Sequence, residues 1–165
     1  MKKLLSVLLS LVLLCSFAMA EGLQFVTTDM EGNTVTQEIF SAYDLTMVNV
    51  WATWCGYCIE EMPEFPALKE MLPENANLIT ICDDAALEPE LTAKILEIVG
   101  ANFPTLVATE GMYSGILSDV YAFPTTFFID SEGNKVGDPI VGVPSLDKPA
   151  EAYYEIFMDR LASMG

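Results

Sequence analysis

Hydrophobic residues along this chain fall into two patterns, short unbroken runs and longer stretches where they recur every third or fourth position. An unbroken run bounded by turn residues predicts a strand buried on both faces, whereas the recurrence predicts a helix with one apolar stripe. Residues 46–51 (Thr46-Met47-Val48-Asn49-Val50-Trp51), 78–82 (Leu78-Ile79-Thr80-Ile81-Cys82) and 125–130 (Thr125-Thr126-Phe127-Phe128-Ile129-Asp130) are of the first kind, and 104–108 is a shorter example. Gln24-Phe25-Val26-Thr27 and Thr34-Val35-Thr36 flank a turn at Asp29-Met30-Glu31-Gly32-Asn33, which reads as a hairpin of two edge strands.

The second pattern begins after Cys58, where Ile59, Met62, Phe65, Leu68, Met71 and Leu72 predict one helix, ended by Pro73. Pro63 lies close enough to its start to be tolerated, while Pro66 should bend it. Residues 88–99 predict a helix with Leu91, Ile95, Leu96 and Val99 on one face and Gly100 as its stop. Residues 39–45 predict a turn or short helix and 112–121 a short helix. Ser131-Glu132-Gly133-Asn134 turns the chain into a strand over 135–143, and 147–164 closes as an amphipathic helix. Strands alternate with helices through the middle of the chain. The expected fold is therefore α/β, a central mixed β-sheet flanked by helices with an N-terminal β-hairpin. In such sheets, sites lie at the carboxyl ends of strands, where Trp51 hands over to Cys55.

The start of the chain changes where this fold should be found. Lys2 and Lys3 precede an apolar run over 4–17, and Ala18-Met19-Ala20 matches small-x-small cleavage, so residues 1–20 read as a signal peptide. An uncleaved anchor is the alternative, although about 14 residues is short for a spanning helix. Cys15 would allow lipidation, but Leu14 is bulky for the preceding position. Removing 20 of the 165 residues leaves 145, which suits one domain over 21–165. It also removes two lysines, taking the formal charge from −17 to −19. Such a surface repels nucleic acid and anionic lipid, so neither is an expected partner, and the membrane enters only through the signal or anchor segment.

Export places the chain where disulfides persist. Cys55, Cys58 and Cys82 are the cysteines beyond the signal, and the first two close an apolar strand and open a helix as Trp54-Cys55-Gly56-Tyr57-Cys58. Two cysteines so spaced can form a short-range disulfide, and a helix start lowers the pKa of the first thiol. The same spacing also serves as half of a zinc site or as a static disulfide. There is no histidine in the chain, so four-ligand zinc would need carboxylates; no metal and no cofactor are expected. Cys82 closes a buried strand, where a free cysteine behaves as a small apolar residue.

The segment from Val48 to Cys58, the following Glu60-Glu61-Met62-Pro63, and Phe123-Pro124-Thr125-Thr126-Phe127-Phe128-Ile129-Asp130 together resemble the thioredoxin superfamily. Within it they are most similar to the exported TlpA/ResA-like thiol–disulfide oxidoreductases, across about residues 23 to 163. The resemblance implies a thioredoxin-like fold in which Cys55 attacks and Cys58 resolves. It implies a cis peptide before Pro124, leaving the backbone of Phe123 to pair with a substrate peptide, and a contact surface of Trp54, Gly56, Tyr57, Phe123 and Pro124. The partners it implies are protein thiols and disulfides together with a membrane electron donor. The place is the periplasm or the outer face of the membrane, and the tasks are cytochrome c maturation, disulfide repair or repair of oxidised methionine. Asn49 departs from the buried aspartate of thioredoxin itself, which leaves Glu60 and Glu61 as candidate proton relays; the plainer reading is that both complement the dipole of a helix's first turn. Gly56-Tyr57 resembles the dipeptide of periplasmic disulfide isomerases. An oxidase or isomerase, and a non-enzymatic peptide-binding domain with a static disulfide, are thus the alternatives to a reductase.

Overall fold

A computed structural model describes residues 24–165, so the expected signal or anchor over 1–20 and Cys15 lie outside the described residues. Strand β3 (Leu45–Trp51) is buried along its whole length because it lies mid-sheet with helices or loops on both faces. It pairs in parallel with β4 (Ala76–Cys82), in a register that sets Trp51 opposite Cys82, and antiparallel with β6 (Thr125–Asp130), which sets Asn49 opposite Thr126. With β5 (Thr105–Val107) and β7 (Ile140–Val141) the sheet runs β5-β4-β3-β6-β7. The N-terminal strands β1 (Val26–Thr28) and β2 (Thr34–Thr36) pair antiparallel. The Met30 N–H bonds the Thr105 carbonyl at 3.0 Å and Asp29 bridges Leu106, so this hairpin covers the edge left by β5.

The period-two alternation of β3 divides the interior. Leu45, Met47 and Trp51 pack with Phe65, Leu68, Phe128, Tyr153 and Phe157, beneath α1 (Gly56–Glu61), α2 (Phe65–Met71), α3 (Pro89–Val99) and α5 (Pro149–Ser163). Val48 and Val50 face the other way, towards Phe25 beside the hairpin, Phe40 in a 3-10 turn (Gln37–Phe40), Met112 on α4 (Glu110–Tyr113) and Leu117 beyond its end. The expected mixed sheet, flanking helices and N-terminal hairpin are all present.

Four local expectations are corrected. The single helix after Cys58 is three segments, α1, a 3-10 turn (Met62–Glu64) and α2. Each proline lacks an N–H and excludes the carbonyl four residues back, so Pro63 and Pro66 each fall in the first turn of a new segment and the break comes before Pro66. Met71 consequently points to solvent. On α3 the buried face is Thr92, Ile95 and Val99; Leu91 is exposed, and Thr92 satisfies its hydroxyl on the Glu88 carbonyl at 2.8 Å. The helix expected over 112–121 stops at Tyr113, and successive turns bury Ile116 and Leu117 without it. The last strand is only Ile140–Val141. Gly137, at φ +70°, and Pro139 interrupt the ladder, and Arg160 satisfies the Val136 and Asp138 carbonyls from α5.

Candidate active site

Four residues carry the chain from β3 into α1. The Cys55 N–H bonds the Ala52 carbonyl at 3.0 Å, and Cys55 caps α1 by accepting the Cys58 N–H on its sulfur at 3.2 Å. Cys55 and Cys58 are joined in a disulfide with Cα atoms 5.3 Å apart. Cys55 keeps 6% of its surface accessible and Cys58 none, which is the asymmetry an attacking and a resolving sulfur need. Helix α1 has only six residues before the proline-driven break, so the Cys58 N–H rather than a long macrodipole is the donor aimed at Cys55 Sγ.

The peptide between Phe123 and Pro124 is cis. The Phe123 ring lies edge-to-face against Trp54, with centroids 5.6 Å apart. Trp54 (70%) and Tyr57 (62%) are exposed beside the disulfide, Phe123 is half-buried and Pro124 is buried. The Pro124 carbonyl is taken by the Gly142 N–H at 2.8 Å, whereas the main chain of Phe123 makes no main-chain hydrogen bond among the described residues. A Cβ on Gly56 would meet nothing within 4 Å, so steric need does not explain that glycine.

The two glutamates separate. Glu60 is exposed, while Glu61 is buried one helical turn beyond Cys58 on the same face of α1. They end the helix rather than start it, which overturns the reading of both as first-turn acids. Glu61 accepts from Asn49 Nδ2 at 2.9 Å and from the Tyr153 hydroxyl at 3.0 Å. Asn49 Nδ2 also donates to Thr126 Oγ1 at 2.9 Å, and Thr126 in turn donates to Tyr153 at 3.2 Å. Burial drives the Glu61 carboxyl up to about 7, and the bonds from Tyr153 and Asn49 pull it only partly back. The Tyr153 phenol is pushed up by its own burial and by the Glu61 charge.

Beneath the Cys55 turn, Asp84 accepts the Thr53 N–H at 2.9 Å, the Thr53 hydroxyl, and the Cys82 thiol at 3.3 Å. Burial pushes the Cys82 thiol up to about 12, so it stays protonated as a donor. Sequence reasoning missed Tyr153, Thr126, Thr53 and Asp84. Asp84 lies in the turn after β4, and nothing local marks a tyrosine 92 residues from its partner. Among the described residues no group of three or more histidine, cysteine or acidic residues is arranged to hold a metal, and no helix is long and apolar enough to cross a membrane.

Residues 19–135 match the AhpC/TSA family. Over 108 residues the chain is 30% identical to the thiol:disulfide interchange protein DsbE of Haemophilus influenzae, covering 66% of this chain and 57% of that protein. It is 26% identical over 88 residues to the thioredoxin-like protein YneN of Bacillus subtilis, covering 53% and 51%. The chain thus spans little more than half the length of these curated relatives. In three dimensions it is similar to a thiol:disulfide interchange protein of the thioredoxin family from Chlorobium tepidum, with a TM-score of 0.71 at 21% identity over 85% of this chain and 94% of that one. At that identity the likeness shows the thioredoxin-like fold.

Proposed function

Because this chain belongs to the AhpC/TSA family and carries a cysteine pair where β3 meets α1, we propose that it is an extracytoplasmic thiol–disulfide oxidoreductase that reduces protein disulfides. The observation that carries the reading is Cys55, slightly exposed, accepting the Cys58 N–H on its sulfur between two exposed aromatic residues, one of which, Trp54, packs on Phe123 of the cis-proline segment. A static structural disulfide has no need of that setting.

In the reducing direction the Cys55 thiolate attacks one sulfur of a substrate disulfide, forming a mixed disulfide and releasing the other substrate sulfur as a thiolate. Cys58 gives up its proton and attacks Cys55 Sγ, releasing the second substrate thiolate and closing the Cys55–Cys58 bond. Two electrons pass from the protein dithiol to the substrate, and no further cofactor takes part. Glu61, held near neutrality by its burial, takes the Cys58 proton, and Asn49 and Tyr153 hold its carboxylate in place. Trp54, Tyr57 and Phe123 form the apolar contact beside the reacting sulfur, with Gly56 between the two rings in sequence and Pro124 presenting the Phe123 main chain to an extended peptide.

The domain spans 21–165 behind an export segment over 1–20, and a membrane electron donor returns the pair to the dithiol. Relatives named for thiol:disulfide interchange support protein thiols and disulfides as the clients; the resemblance to the TlpA/ResA-like group adds cytochrome c maturation or disulfide repair as the task. The Gly56-Tyr57 dipeptide favours an oxidase or isomerase as the second reading. The test is to incubate Cys58→Ser, reduced, with a peptide disulfide. A stable mixed disulfide on Cys55 is expected; its absence, or its equal formation by Cys55→Ser, would refute the assignment.

A further inference from the structure

Between β3 and α1 the chain must leave the sheet, turn, and deliver Cys55 Sγ to the Cys58 N–H. While the disulfide is closed, the S–S bond itself restrains Cys55. Once it opens, that restraint is gone and the turn alone must keep the sulfur in place.

Thr53 is the middle of this turn and it is buried. Both of its donors go to one carboxylate, its N–H to Asp84 Oδ1 at 2.9 Å and its hydroxyl to Asp84 Oδ2. Asp84 is itself held. Its neighbour Asp83 donates its N–H to the Trp51 carbonyl at 2.8 Å, and its own carbonyl accepts the N–H groups of Leu87 and Glu88 at 2.9 Å each. The Cys82 thiol, at the end of β4, is the third donor to the carboxylate, reaching Oδ1 at 3.3 Å. Burial alone would raise the Asp84 carboxyl, but the Thr53 hydroxyl and N–H outweigh it and hold the group below the ordinary aspartate value. A buried carboxylate with three donors, two from Thr53 in the turn and one from Cys82 at the end of β4, is a fixed anchor, and it grips the turn two residues before Cys55.

We propose that Asp84 is a positioning residue for thiol exchange: by gripping both donors of Thr53 it fixes the turn from Ala52 to Cys55, so that Cys55 Sγ stays against the Cys58 N–H when the disulfide opens. The inference rests on the thiol-exchange reading and adds to it a determinant of how well the Cys55 thiolate is stabilised. It also gives the free Cys82 a use as a donor to that anchor.

The test is the pKa of Cys55 in the reduced protein, read from thiolate ultraviolet absorbance against pH, together with the rate of reaction with a small disulfide at neutral pH. Asp84→Ala should raise the Cys55 pKa by about one unit and slow exchange several-fold while far-ultraviolet circular dichroism stays unchanged. Asp84→Asn should restore both values, because the amide oxygen still accepts the Thr53 N–H and the amide nitrogen donates to the hydroxyl turned round. Thr53→Val, which keeps the N–H and nearly the same volume, should shift both values part of the way, and it carries the test if Asp84→Ala does not fold. Unchanged Cys55 pKa values in Asp84→Ala and Thr53→Val would overturn the proposal. So would an equal lowering in both Asp84 variants, the signature of removing a negative charge. Wild-type protein that exchanges nothing would instead defeat the functional reading, since the Cys55 pKa reports on the clamp independently.

Discussion

Replacing Glu61 with glutamine isolates the cost of holding a carboxyl inside this fold. Glu61 keeps 1% of its surface, and burial lifts it from 4.5 to about 7 despite two hydrogen bonds. A carboxyl raised in the folded state binds its proton there while the unfolded chain has released it, so wild-type stability must fall as pH rises from 4.5 towards 7. Each pH unit of displacement corresponds to about 1.4 kcal/mol. Between pH 5 and pH 8 the wild type should therefore lose about 2.5 kcal/mol from this group. Glutamine fits the same cage: its oxygen accepts from Asn49, and its amide donates to Tyr153 if the Tyr153–Thr126 bond reverses direction. The assay is urea denaturation of the oxidised protein at a series of pH values. The difference between Glu61→Gln and wild type should grow in favour of glutamine by about 2.5 kcal/mol across that range. Parallel stability curves for the two proteins would refute the reasoning.

The same carboxyl predicts kinetics: reduction of a peptide disulfide by wild type should rise through pH 7 as Glu61 ionises, and Glu61→Gln should lose that limb while Glu60→Gln, on the exposed side of α1, keeps it. Phe157 is fully buried and sits edge-to-face with Phe128 at 5.5 Å, so Phe157→Ala should cost about 3–5 kcal/mol in denaturation without moving the Cys55 pKa. Cys82, buried and pushed up to about 12, should resist iodoacetamide in the native reduced protein and react only on unfolding, as intact and peptide masses will report. Trp54→Ala removes an exposed ring and the partner of Phe123, and should raise KM for a peptide disulfide several-fold with little change in kcat.

The strands were legible because β3, β4 and β6 are buried on both faces, which leaves nearly continuous apolar runs broken only by buried threonines and by Asn49 and Asn77. The cysteine pair was legible as spacing, and its setting as resemblance. The broken helix was not: the apolar stripe from Ile59 to Leu72 continues across Pro63 and Pro66, so periodicity hides a break that backbone sterics impose. Glu61 was half legible. Cys58, Glu61, Phe65 and Leu68 share the buried face of that stripe, and a charge within an apolar stripe is a signal that separates it from Glu60. The contacts of Glu61 with Tyr153, and of Thr53 with Asp84, join residues 92 and 31 apart. Pairings of that kind depend on sheet order and register, which no local pattern carries.

The reduction potential of the Cys55–Cys58 pair tests the central claim most directly. Equilibrated against a dithiol–disulfide buffer and quenched by alkylation, a working reductase of this type should lie near thioredoxin, at about −270 mV. A potential below about −300 mV would mark a structural disulfide and contradict exchange, and one near about −120 mV would mark an oxidant and contradict the reducing direction.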